Sequence, residues 1–204
     1  MPRSKNFDRQ EVLQKAVELF WQKGFHATSM QDLVDHLEIN RGSMYNTFGG
    51  KEQLFQEALA LYKKQTGQDS KDILSSGDGS ERAFLTRFFD QEIKGILEDK
   101  SDRGCFFVNT TTELSNQSAS IHGLMYDNMN EAIAFFAKVI QRGQAKGEIS
   151  CRATPEVLAR HLFTFQNGLK VVSKLEKDPS KLREIVQMQL DLLLGSEEEK
   201  SQRE

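Results

Sequence analysis

Apolar residues recur at helical spacing from one end of the chain to the other, and strand-like alternation bounded by turn pairs is hard to find. The first helix starts at Asp8, with Glu11 as its capping acid and Val12, Ala16, Leu19 and Phe20 on one face; Gly24 suits its C-terminal end. A second starts at Ser29 with Asp32 as capping acid and buries Met30, Leu33, Val34 and Leu37. After the break Glu38-Ile39-Asn40, Asn40 caps a third, short helix over 41–47. Phe48-Gly49-Gly50 interrupts again, and Lys51 opens a connecting helix over 51–66 with Leu54, Phe55, Ala58, Leu59 and Tyr62 as its stripe.

The glycine- and serine-rich stretch 67–79 reads as a linker. Helices follow from Ser80, carrying Phe84, Leu85, Phe88, Phe89, Ile93, Ile96 and Leu97; over 105–114, where Thr110-Thr111-Thr112 is an unfavourable run; and over 120–146, 154–175 and 178–194. The last two bury Leu158, Leu162, Phe165, Leu169 and Val172, and Leu182, Ile185, Val186, Leu190 and Leu193. Two of the three prolines, Pro155 and Pro179, follow the helix-capping residues Thr154 and Asp178. The fold class is therefore all-α. The expected domains are a head over 1–50, a second domain over 67–195, and a charged, disordered tail over 196–204.

Composition narrows the function. With 204 residues, 38% of them hydrophobic, the chain can build a core, and no apolar run approaches the ~20 residues of a membrane span. The N-terminal residues lead into a charged helix without a signal-peptide pattern, so a soluble cytoplasmic protein is expected. Cys105 and Cys151 cannot form a disulfide framework, and the four histidines have neither metal-ligand spacing nor a Cys-His catalytic pattern. No phosphate-binding glycine loop is present, so no enzyme, metal or cofactor is expected. The net charge of −3 at first argues against nucleic acid, but residues 1–64 hold nine Lys/Arg against eight Asp/Glu. The acid lies in the remainder, and the head is near neutral.

Three short helices in the first fifty residues, the last two joined by a tight turn, form a helix-turn-helix pattern. The motif Gly24-Phe25-x-x-Thr28-Ser29-Met30-x-Asp32-Leu33, followed by Asn40-Arg41-Gly42-Ser43-Met44-Tyr45-x-x-Phe48-x-x-Lys51-Glu52-x-Leu54, resembles the N-terminal domain of the TetR family of repressors over residues 8–60. Glu38 departs from it, standing where members usually carry glycine; the turn can still form if the backbone there is not strictly left-handed. The resemblance implies an N-terminal DNA-binding domain and a C-terminal domain that binds an inducer and forms a homodimer through its last two helices. The partner it implies is a palindromic double-stranded operator, and the function is that of a transcriptional repressor.

By the same resemblance, Thr28, Tyr45 and Lys51 contact phosphates, Thr47 contacts the DNA backbone, and Arg41, Ser43 and Asn46 face base edges. Arg3 and Lys5 follow the DNA from an N-terminal arm. The segment Arg103-Gly104-Cys105-Phe106-Phe107-Val108-Asn109-Thr110 to Glu113-Leu114 resembles the Gly-Cys helix of a branch that includes electrophile- and oxidant-responsive repressors. In such members Lys174 lies in a helix passing near the cysteine. A thiol sensor at Cys105 stands beside the alternative of a small buried core residue. An inducer pocket lined by Phe88, Phe89, Asn109, Glu113, Tyr126, Met129, Phe136, Phe163 and Gln166 stands beside the alternative of plain core. Activator, DNA-independent helical scaffold and Cys105-dependent enzyme are the rival functions.

Overall fold

The computed structural model describes residues 7–75 and 79–194, with side chains described through 68 and again from 79. Arg3, Lys5 and the tail 196–204 lie outside the described residues. Nine helices and no strand occur among the described residues: α1 (Arg9–Lys23), α2 (Met30–Leu37), α3 (Arg41–Phe48), α4 (Lys51–Ser75), α5 (Glu81–Glu98), α6 (Phe106–Leu114), α7 (Ala119–Ala145), α8 (Pro155–Val172) and α9 (Pro179–Leu194). The described residues divide into two compact units, one combining 7–69 with Cys105–His122, the other combining 70–104 with 123–194.

In the first unit the helix ends form where capping chemistry places them. Asp8 accepts from the N–H groups of Gln10 (2.7 Å) and Glu11 (3.3 Å). Ser29 and Asp32 form a reciprocal capping box, and Asn40 accepts from the N–H of Ser43 at 2.8 Å. The core between these helices is Ala16, Phe20, Leu33, Leu37, Met44, Phe48, Leu54, Phe55 and Ala58, all buried. Phe20 and Phe55 meet edge to face at 4.9 Å. Helix α6 belongs to this unit: Phe106 packs edge-on against Phe55 (5.5 Å) and Tyr62 (5.6 Å). Its threonine run is accommodated because Thr111 and Thr112 donate to the carbonyls of Phe107 (2.8 Å) and Val108 (3.1 Å), one turn back.

Two sequence expectations change here. Helix α4 continues to Ser75, through most of the expected linker. The only glycine inside this extension is Gly67, at a cost of ~1 kcal/mol, and Gln68, Lys71 and Leu74 are good helix formers. The turn between α2 and α3 does require a left-handed residue: Glu38 has φ 56° and ψ 30°. Leu37 and Ile39 on either side are both buried, so the chain must reverse within one residue. A side chain costs ~1–2 kcal/mol in that conformation, and glycine returns ~0.5–1 kcal/mol as backbone entropy. Glu38→Gly is therefore expected to stabilise the first unit by roughly 0.5–1 kcal/mol, read as a higher urea midpoint; a lower midpoint would show that the exposed 2.9 Å ion pair from Lys15 to Glu38 outweighs the backbone.

The second unit packs α5, α8, α9 and the later part of α7 around Phe84, Leu85, Phe88, Phe89, Ile93, Phe136, Ile140, Leu158, Leu162, Leu182, Val186 and Leu190. Phe88 meets Phe136 edge to face at 5.3 Å. Glu148 caps α5, accepting from the N–H of Glu81 at 2.6 Å, and Arg82 pairs with Asp191 at 2.8 Å. The buried carboxylate of Glu81 accepts from Arg142 at 2.8 and 3.0 Å and from Lys146 at 3.3 Å. The Arg142 hydrogen bonds hold the Glu81 carboxyl below its ordinary value of 4.5, against the opposing effect of burial. The stability this gives is complete above that ordinary value and is lost as pH falls through the lower folded one. Glu81→Gln should cost about 1–2 kcal/mol at neutral pH, since both cations are half exposed, and the loss should shrink in acid; a loss constant with pH would sink the assignment.

Candidate nucleic-acid interface

Helix α3 is built to present one face and bury the other. Met44 and Phe48, four residues apart, are buried, and the Arg9 guanidinium of α1 lies 5.0 Å from the centre of the Phe48 ring. That register leaves Arg41, Tyr45 and Asn46 exposed, with Ser43 and Thr47 half-buried at the edges of the face. Gly42 is exposed among them, so backbone as well as side chain is accessible. The exposed face carries one cation and several hydrogen-bonding groups, a mixture suited to reading base edges and holding phosphates.

Thr28 does not share that exposure. It is fully buried, and its hydroxyl donates to the carbonyl of Gly24 at 2.6 Å. The hydroxyl expected at a phosphate instead ties the turn between α1 and α2. Lys51, in the first turn of α4, is half-buried, with its ammonium 4.3 Å from the centre of the Phe25 ring. Burial pushes the Lys51 ammonium below its ordinary value, while the charges of Glu113 and Asp32 act in the opposite direction. Asp32 is held well below the ordinary carboxylate range, first by its 2.6 Å hydrogen bond from Lys23 and then by the Ser29 hydroxyl and N–H.

The residues expected to sense an effector fall into two groups. Cys105, Asn109 and Glu113 belong to the first unit; Tyr126, Met129, Phe163, Gln166 and Lys174 belong to the second. Cys105 is buried at the start of α6 and Asn109 is half-buried. Glu113, expected at a pocket wall, instead accepts from the N–H groups of Phe25 (3.0 Å) and His26 (2.7 Å). Both carboxylate oxygens are thus engaged by the α1–α2 turn. Met129 and Phe163 pack at the margin of the second core, and Gln166 is buried, donating to Glu92 at 3.2 Å beside the Lys170–Glu92 ion pair of 2.8 Å. Tyr126, also expected at the pocket, has an exposed side chain. Lys174 is exposed, its side chain lying against Gly104.

Helices α8 and α9 carry a second apolar face. Leu158, Leu162 and Leu169, and Leu182, Val186 and Leu190, are buried as their spacing predicts, with Phe165 and Leu193 half-buried. Val172 and Ile185, expected in the same stripes, are exposed instead, together with Val157, Val171, Leu175, Met188 and Leu192. Ile185, Met188 and Leu192 repeat at i, i+3, i+7, one continuous stripe on α9. Sequence spacing alone missed this separation, because apolar residues also stand on the outward faces, Val157, Val171 and Val172 on α8 and Ile185, Met188 and Leu192 on α9.

Two family models match the chain, one in each half. The family described as "Bacterial regulatory proteins, tetR family" matches residues 12–58, and "Tetracyclin repressor-like, C-terminal domain" matches residues 79–188. The uncharacterised HTH-type transcriptional regulator YezE of Bacillus subtilis (strain 168) is 27% identical over 194 residues, covering 95% of this chain and 100% of that protein. The HTH-type transcriptional repressor ComR of Escherichia coli (strain K12) is 28% identical over 183 residues, covering 90% and 87%. Among solved structures, a cysteine mutant of the TetR family transcriptional regulator CifR, complexed with 26bp double-strand operator DNA, is 30% identical with a TM-score of 0.82, covering 92% of this chain and 98% of that one. With α3 presented outward on a capped and buried three-helix support, and with both halves matched, the chain belongs to the tetR family of bacterial regulatory proteins, helix-turn-helix regulators that bind DNA.

Proposed function

We propose that the protein is a homodimeric repressor that binds a palindromic operator and leaves it when an effector acts on the C-terminal domain. The observation carrying this reading is the exposed face of α3, with Arg41, Tyr45 and Asn46 in front of buried Met44 and Phe48. Arg41, Ser43 and Asn46 read base edges in the major groove; Tyr45, Thr47 and Lys51 hold phosphates on its flanks. The operator complex of the CifR mutant supports the DNA partner. Two copies meet through the exposed faces of α8 and α9, so the two reading helices address successive half-sites. Release follows from an inducer held in the second domain or from modification of the Cys105 thiol, either of which favours a conformer with mismatched helix spacing. Because Cys105 is buried, a thiol reagent reaches it through local opening.

Genomic footprinting of the purified protein, with and without an electrophile, tests this reading. Sites that protect in pairs one helical turn apart and are released by the reagent are the expected result; protection that ignores every effector would sink the release mechanism. Asn46→Ala should weaken operator binding about tenfold and relax sequence preference at one position of each half-site, without changing helix content. Unaltered affinity would remove α3 from the groove. Electrophile release retained in Cys105→Ser would refute the thiol route and leave the inducer.

A further inference from the structure

Glu113 was expected at a sensor pocket, yet its carboxylate faces the turn between α1 and α2. Its two oxygens accept from successive backbone N–H groups, Phe25 at 3.0 Å and His26 at 2.7 Å, residues more than eighty positions away in sequence. Gly24 makes room for it. A Cβ at Gly24 would lie 2.9 and 3.2 Å from the two Glu113 oxygens, and its backbone (φ 81°, ψ 173°) is a conformation that side chains rarely adopt. The Phe25 ring, fixed at its backbone by Glu113, packs on Phe20 and Phe55 and carries the Lys51 ammonium on its face at 4.3 Å. A continuous set of contacts therefore runs from α6 through one carboxylate, two amides and one ring to the lysine that opens α4.

We infer that Glu113 is a positioning residue for DNA binding, holding the α1–α2 turn and the Phe25 ring so that Lys51 is aimed at a phosphate. Lys51 has a long, rotatable chain, and a phosphate contact is worth most when the ammonium is already held in place. Glu113 touches no DNA itself; it acts through Phe25. Charge-assisted hydrogen bonds from two amides suit this task, because a carboxylate that accepts both fixes the turn in position and in orientation. This inference rests on the proposed DNA-binding reading.

The test measures binding of the full-length protein to a mixed-sequence duplex of about 30 base pairs, over a range of salt concentrations. A phosphate contact adds about 0.9 to the slope of log affinity against log salt, so Lys51→Ala should reduce the slope by about 2 in a dimer. Glu113→Ala should weaken binding at least about threefold and reduce the slope in the same direction, Glu113→Gln should fall between it and wild type, and Glu113→Ala should add nothing in a Lys51→Ala background. Phe25→Leu keeps the backbone amide and the apolar packing but removes the ring face, and should reproduce the slope change even if Glu113→Ala unfolds. Additive effects, a weaker affinity with unchanged slope, or tighter binding on removal of the Glu113 charge would overturn the inference. A wild-type protein with no salt-dependent binding would instead overturn the DNA-binding reading itself.

Discussion

A protein carrying Met188→Asp and Leu192→Asp together should be a folded monomer. Both residues lie on the solvent-facing stripe of α9, at 60% and 59% exposure, so a single copy loses no core packing when they change. In the dimer proposed above the same positions are covered, and symmetry places four carboxylates in one apolar interface. Burying an unpaired carboxylate costs several kcal/mol, and repulsion among the four adds to that. The dimer dissociation constant should rise by at least ~1,000-fold, about 4 kcal/mol, and operator affinity should fall with it because one reading helix alone addresses one half-site. Sedimentation velocity and fluorescence anisotropy on a labelled operator read the two effects. A double variant that sediments as a dimer would remove α9 from the interface.

The second large effect is expected in the core of the first unit. Phe106 is 1% exposed and meets the rings of Phe55 and Tyr62 edge-on at 5.5 and 5.6 Å. Phe106→Ala removes a whole ring from a closely packed site, a change that costs about 3–5 kcal/mol because the cavity only partly collapses. The neighbouring Phe107 is half-buried and meets only Tyr62 among the aromatic rings described, so Phe107→Ala should cost clearly less. The loss should appear in hydrogen exchange as faster opening of α1, α4 and α6, with α5, α8 and α9 little changed, since those helices pack around a separate core. Equal acceleration everywhere would mean that the two cores open as one.

Most of the helices were legible in the sequence because the determinants are local. Asp8, Ser29, Asn40, Ser80 and Thr154 each cap the helix they precede, and Phe84, Phe88 and Phe89 face inward as their spacing requires. The exposed face of α3 was legible for the same reason: burying Met44 and Phe48 decides where Arg41, Tyr45 and Asn46 point. What was not legible depends on contacts distant in sequence. Thr28 looks like a free hydroxyl until its bond to Gly24 is seen. Glu113 looks like a polar pocket residue until the amides of Phe25 and His26 are found against it. Val172 and Ile185 fit an inward stripe by spacing, but where apolar residues also stand on the outward face only packing decides which of them turn inward. Glu38 is a simpler case: the glycine usual at its place in the family hints at a left-handed position, but only the backbone shows that Glu38 adopts it.

The path of the chain between the two units bears on how the protein is made. The first unit takes its early helices from the N-terminus but its α6 from residues beyond 104, after the chain has already run through α5 in the second unit. During synthesis α1 to α4 emerge without the helix that covers Phe55 and Tyr62 and supplies the carboxylate for the Phe25 and His26 amides. At ~5–20 residues per second, the further stretch out to α6 takes several seconds to make. For that interval the nascent head exposes an aromatic surface, the kind that chaperones bind. The DNA-reading part, although first in the sequence, is thus complete only once α6 has been made.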